Sequence, residues 1–187
     1  SGMILVGTGE INSSRSSYAG IGLLQSFDKG KTWKNIGLTD SHHISKILVN
    51  PKNSQEIVVG VAGHLYTKNK ERGVFKTTDG GKSWQQVLFV NDETGVIDMA
   101  VAESNFTVMY ASAWQKDRKA HNFNGNGKAS GIYKSTDAGL TWQLISTPES
   151  GFPSDEFVGR IGLSAFTSDI IYAVMDNQKM RPSAKKE

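Results

Sequence analysis

The strongest constraint on what this chain can fold into is an eight-residue pattern, Ser/Thr-x-Asp-x-Gly-x-Ser/Thr-Trp, that occurs three times. The first copy carries Ser26, Asp28, Gly30 and Trp33; the second, Thr77, Asp79, Gly81 and Trp84; the third, Ser135, Asp137, Gly139 and Trp142. In 187 residues one match is expected by chance about once in ten thousand sequences. Three matches at intervals of 51 and 58 residues therefore make this a repeat protein.

Each interval carries the same succession of short apolar runs. A glycine and an apolar pair precede every box, as in Gly22-Leu23-Leu24, Gly73-Val74-Phe75 and Gly131-Ile132-Tyr133, and a short alternating run follows every Trp. Two strands joined by the box make a hairpin. Two further strands lie between boxes, for example Ile44–Val49 and Ile57–Gly60 on either side of the turn at Asn50-Pro51-Lys52-Asn53. With strands lettered A to D in each unit, the chain reads B, C, D, then A to D twice, then A and B. A period of about 50 residues with four antiparallel strands is the mark of a propeller blade.

The expected fold is thus all-β: a β-propeller fragment of about three and a quarter four-stranded blades, with the boxes in the C–D turns. The expected layout is a partial propeller over 1–178, with blades at about 3–37, 42–90, 95–146 and 157–175, and a flexible polar tail over 179–187. Such a piece does not close by itself, and Met3-Ile4-Leu5-Val6 opens straight into a strand, so the chain reads as part of something longer.

The box itself calls for a structural reading. Its Asp accepts backbone N–H groups a few residues on, its glycine takes the positive φ of the turn, its hydroxyls tie the turn to itself, and its Trp buries a large ring with the indole N–H bonded. A catalytic acid rarely appears once per blade.

These boxes resemble the Asp boxes, or BNR repeats, of sialidases, of xyloglucanase-type glycoside hydrolases and of sortilin-like (Vps10) propellers. The strand-C pattern ending in the box and the Gly7-Thr8-Gly9-Glu10 segment most resemble bacterial sortilin-like propellers that carry a glycosyl-hydrolase name. The resemblance implies a secreted or otherwise extracytoplasmic protein and places the boxes away from the ligand face. It transfers no catalytic residue, because neither a sialidase arginine cluster nor the xyloglucanase-type aspartates can be matched to positions here.

If C and D join at the box, the B–C and D–A connections emerge at the opposite end. These are the long loops, and long loops on a rigid scaffold are where binding concentrates. The richest runs from Trp114 to Lys128, where an aromatic beside amide and cationic groups suits a sugar ring or a peptide, or else anchors the loop. Ligand-binding candidates are Arg15, His43, Trp114, Arg118 and Arg160; weak catalytic candidates are Glu10 and Asp98, since facing carboxylates can serve as acid and base in glycoside cleavage.

Other classes find little support. The charge is mixed, 21 basic against 18 acidic residues, so no nucleic-acid partner is expected. No run approaches the roughly 18 apolar residues of a membrane helix. The chain has no cysteine, and His42, His43, His64 and His121 show no ligand spacing with a carboxylate at fixed offset, so neither a metal nor a cofactor is expected. Two main readings stay open: a sortilin-like module that binds a peptide, protein or carbohydrate on the face opposite the boxes, or a fragment of a BNR-type glycoside hydrolase with carboxylates partly outside this chain. A purely structural module is the third. The remaining blades of a parent protein, or further copies, are the expected partners of the open ends.

Overall fold

The computed structural model describes residues 2–103 and 105–180. The C-terminal part of the expected tail, 181–187, lies outside the described residues. Strands β1 (Ile4–Gly7), β2 (Leu23–Ser26) and β3 (Lys34–Asn35) form the first sheet. The second holds β4 (Ile44–Asn50), β5 (Asn53–Val61), β6 (Gly73–Thr77) and β7 (Gln85–Leu88) in sequential order. In the third, β8 (Thr94–Ala102) and β9 (Asn105–Gln115) are followed by a small hairpin of β10 (Asp117–Arg118) and β11 (Phe123–Asn124), then by β12 (Gly131–Ser135) and β13 (Gln143–Leu144). The last sheet pairs β14 (Val158–Ala165) with β15 (Ile171–Asn177). All pairings are antiparallel. Among the described residues thirteen strands thus build the four sheets, and the β10–β11 hairpin is the pair that the sequence reading did not include.

The sheets stack face to face because their central strands are apolar on both sides. In β5, Ile57, Val59 and Val61, with Phe75 of β6, face Leu23 and Ile36 of the first blade, while Val58 faces the third sheet with Val96, Met99 and Met109. In β9 the alternation repeats: Met109 and Ala111 look back, and Val108 and Tyr110 look forward to Val158 and Ile161. A period of two sends successive side chains to opposite faces, so continuous apolar runs can serve only strands covered twice. The outer faces of the first and last sheets differ, since Ile4, Val6, Tyr172 and Val174 are exposed there.

Hydrogen bonds between inner strands hold neighbouring blades in register. Ser45 on β4 donates to the carbonyl of Val96 on β8 at 2.6 Å, and Ser112 on β9 donates to Ile161 on β14 at 2.7 Å. The A–B turns share an end with the boxes: Gly80 N–H reaches Gln55 O and Ala138 N–H reaches Thr107 O, both at 2.9 Å. The B–C and D–A connections accordingly gather at the other end.

Candidate functional site

The three boxes have one geometry. In the second, Thr77 Oγ1 donates to Asp79 Oδ1 at 2.6 Å and accepts Gly81 N–H at 3.1 Å, while Asp79 takes the Ser83 N–H at 3.0 Å and the Ser83 hydroxyl at 2.6 Å. Asp28 and Asp137 repeat this with Ser26 and Thr32, and with Ser135 and Thr141. Gly30, Gly81 and Gly139 take φ of 87°, 90° and 82°, which a side chain would strain. Hydrogen bonds from Thr32 and Ser26 hold the Asp28 carboxyl down at about 2, and Asp79 lies lower still through Ser83 and Thr77. For Asp137, burial raises the value, but the bonds from Thr141 and Ser135 outweigh it and leave it at about 2. A carboxylate held ionised by three or four donors is a poor proton donor, so these acids are turn scaffold.

The Trp residues correct one detail. Every indole N–H is bonded, Trp33 and Trp142 to the box glycine carbonyls and Trp84 to Ile36 O in the preceding blade at 2.7 Å. Trp84 and Trp142 pack on the preceding blade, but Trp33 remains 43% exposed because no earlier blade of this chain lies beside it.

At the opposite end the three B–C connections, residues 8–22, 62–72 and 116–130, converge. The Tyr66 hydroxyl donates to Arg15 O at 2.7 Å, joining the second loop to the first. Arg118 donates through Nε at 3.1 Å and Nη2 at 2.6 Å to Ser13 O, joining the third to the first. Lys116 Nζ donates to His64 O at 3.2 Å, joining the third to the second. Beneath them a small apolar core holds Trp114, Ala62 and Ile97, with Ile11 of the first loop and Phe123 of the third packed against it.

Trp114 is therefore not an exposed platform. It lies inside β9, opposite Gly95, is 5% exposed, and donates its indole N–H to Gly125 O at 2.7 Å. The ring is spent on pinning three loops, with Phe123 edge-on at 6.0 Å and the Arg160 guanidinium at 5.9 Å from its centre. Arg118 is half-buried and stacks over Phe123 at 3.9 Å. Arg15 and Glu10 are exposed, and Glu10 accepts the Asn12 amide at 3.2 Å. Asp98 is engaged as a clamp between blades: it lies 3.2 Å from Lys46 Nζ and accepts the N–H groups of Met99 and Leu163, both at 2.9 Å. Its carboxylate is committed to structure.

The electrostatics of the loop end rest on two buried cations that spacing did not single out, Arg72 and Lys116, at 1% and 6% exposure. Arg72 spends its hydrogen bonds on Asn69 and on the carbonyls of His64 and Thr67. Neither cation has a carboxylate within ion-pair distance among the described residues. Burial drives Lys116 down to about 8, and the charges of Arg72 and Arg118 push the same way. Burial likewise takes Arg72 to about 10, against the pull of Asp92 and Glu93. His43, buried with its Nδ1 unpartnered, is lowered to about 4 by burial and then by the Lys116 charge. Together the three loops carry eight Lys and Arg against three Asp and Glu. A cleft of about 40 Å³ lies here, room for a small polar group and not for a sugar ring; its charged lining is Lys68, paired with Asp92 and Glu93, Lys119, paired with Asp117, and the unpaired Arg72 and Lys116. At the box end a wider open groove of about 720 Å³ separates the first two blades, lined by Phe27, Lys34, Gln55 and Trp84.

One juxtaposition was invisible in spacing: His42 and His64 stack with ring centres 3.6 Å apart, and Asp40 stands beside them. No helix is long and apolar enough to cross a membrane among the described residues.

Stacked antiparallel sheets, two of them with all four strands, and repeated box turns define a β-propeller. The chain belongs to the Sortilin-Vps10 family: the family model described as sortilin, neurotensin receptor 3, matches residues 22–185. Among solved structures it is similar to a GH74 xyloglucanase from Xanthomonas campestris, with TM-score 0.53, 17% identity and 87% of this chain covered. It is also similar to a GH74 enzyme of Niastella koreensis, with TM-score 0.54, 16% identity and 94% covered. At such identity the likeness concerns the fold. The chain spans 23% and 25% of those two chains. No curated protein matches the sequence significantly.

Proposed function

We propose that this chain is the ligand-holding part of a larger sortilin-like propeller outside the cytoplasm, and that it binds an acidic group on the face opposite the boxes. The observation that carries the reading is the pair of buried cations, Lys116 and Arg72, held at the meeting point of three loops without a carboxylate partner among the described residues. A buried charge without its counter-charge costs stability, and such sites are where binding groups concentrate. Asp92, Glu93 and Asp117 in the cleft wall are taken up by Lys68 and Lys119, which leaves Lys116 and Arg72 for a small anionic group, and the volume is too small for a pyranose. The favoured ligand is a peptide or protein presenting Asp, Glu or a free C-terminus; an acidic glycan is the carbohydrate counterpart. Asp98, committed to three donors, is not available as an acid or base.

The exposed outer faces at Ile4 and Val6, and at Tyr172 and Val174, take further blades of the parent protein. That the chain spans about a quarter of the two GH74 enzymes supports this.

The test is a combined peptide and glycan array probed with the protein. Selective retention of acidic peptides, weakened as salt rises, is the expected result. Retention of neutral oligosaccharides together with their cleavage turns the reading toward a glycoside hydrolase.

A further inference from the structure

We propose that Asp40, His42 and His64 form a binding site for one divalent transition-metal ion of the zinc class, set between the D–A connection before β4 and the B–C loop of the second blade. The site shares His64 and Arg72 with the loop-end cleft, but the inference does not rest on the acidic-ligand reading. One ligand atom from each of the three residues lies within 4.8 Å of the other two. His64 Nε2 and Asp40 Oδ1 are already 3.0 Å apart, close to the roughly 3.3 Å separation of donors around a tetrahedral ion with bonds of about 2.0–2.1 Å. The third donor closes in by a turn of the His42 ring, which stacks on His64 at 15° and is only half-buried. Imidazole nitrogen with carboxylate oxygen is a donor set for zinc, cobalt or nickel, and not for calcium or magnesium.

The surroundings are those of a prepared ligand set. His64 Nδ1 lies 2.7 Å from Thr67 Oγ1, so an ion on Nε2 leaves Nδ1–H to donate to that hydroxyl, which fixes the tautomer and the ring. Asn69 spans the two segments that carry the ligands: its Oδ1 accepts His64 N–H at 3.0 Å and its Nδ2 donates to Asp40 O at 3.0 Å. Arg72 in turn holds Asn69 Oδ1 at 2.9 Å. His42 sits at φ 54°, ψ −42°, a backbone conformation that a non-glycine residue adopts at a cost and that clusters at binding sites. Beside the cluster, Glu71 is close enough for the charges of Asp40 and His64 to act on it, and its buried Oε1 has no hydrogen-bond partner. A cation between Asp40 and the imidazoles offsets that second negative charge. Asp40 is exposed, so one coordination position faces solvent and is open to water or an anionic group.

The test uses the tag-free, chelator-treated chain titrated calorimetrically with zinc chloride, with cobalt(II) absorption as a second readout and calcium chloride as a control. Expected are one equivalent of zinc, a cobalt spectrum of nitrogen and oxygen ligation, and no saturable calcium binding. His64→Gln and Asp40→Asn weaken zinc by more than about ten-fold, Thr67→Val by about ten-fold, and His121→Gln not at all. Should His64→Gln lose its circular dichroism signature, Asp40→Asn and His42→Gln at the solvent edge decide the matter. Absence of saturable zinc binding, or wild-type affinity in both Asp40→Asn and His42→Gln, overturns the site.

Discussion

The carboxylate of Asp98 lies 3.2 Å from Lys46 Nζ in the preceding blade, and its second oxygen accepts the Leu163 N–H of the following blade at 2.9 Å. One side chain thereby joins three consecutive inner strands, which turns a plausible catalytic acid into a clamp. Asp98→Ala is expected to lower unfolding free energy by about 2 kcal/mol, because it strands backbone donors that a charged acceptor satisfied. Lys46 is 44% exposed at its side chain, so Lys46→Ala costs less than about 1 kcal/mol. Urea unfolding checks both; equal, small effects contradict the clamp.

The box aspartates set the acid behaviour. Asp28 and Asp137 are held at about 2, below the ordinary carboxylate value of 3.8, so the unfolded chain binds more protons than the folded one between those values. Their stabilisation is complete above pH 4 and is lost as pH falls toward 2. A melting-temperature profile across that window is expected to drop steeply in the wild type and less steeply in Asp137→Asn, which starts lower at neutral pH.

Trp84 and Trp33 occupy the same box position but not the same surroundings. Trp84 bonds Ile36 O and packs into the core between the first two blades, so Trp84→Ala costs about 3–5 kcal/mol. Trp33→Ala, at a ring 43% exposed, costs less than half as much. Side-by-side denaturation of the two variants measures the difference directly.

Lys116 is expected to show the trade-off of a binding residue. Its folded value of about 8 lies below the ordinary 10.5, so folded-state stability rises with pH through that interval as the buried ammonium loses its proton. Lys116→Met removes this rise and adds about 1–3 kcal/mol at pH 7, while it weakens retention of acidic ligands. His43 acts at the other end of the scale: held near 4 against 6.5, it lets stability fall as pH drops through that range. Acid and alkaline melting curves of Lys116→Met and of His43→Phe separate their contributions.

What could be read in advance was local. The box turn is built within eight residues, so Asp79, Gly81 and Ser83 announced both the hairpin and its hydrogen bonds. The continuous apolar runs of β5 and β9 mark strands covered on both faces. The site was not local: Arg118 meets Ser13 across 105 positions, and Lys116 meets His64 across 52. Trp114 was read into a loop because glycines and amides follow it, yet its partner Gly95 lies on β8, and that pairing continues the strand through the ring. Arg72 is buried by the fold of its own loop, around Asn69 and the carbonyls of His64 and Thr67, which no spacing in the sequence marks. His42 and His64 acquire meaning only when two separate connections fold against each other.

The central claim is that an acidic ligand docks on the loop end and not on the box end. Its most direct test is a comparison of array binding by Arg118→Ala and Lys82→Ala, two single-charge changes at opposite ends of the blades. The predicted result is that acidic ligands retained by the wild type are lost from Arg118→Ala and kept by Lys82→Ala. Equal binding by wild type and Arg118→Ala, with loss in Lys82→Ala, contradicts the claim and moves the site to the groove beside the boxes.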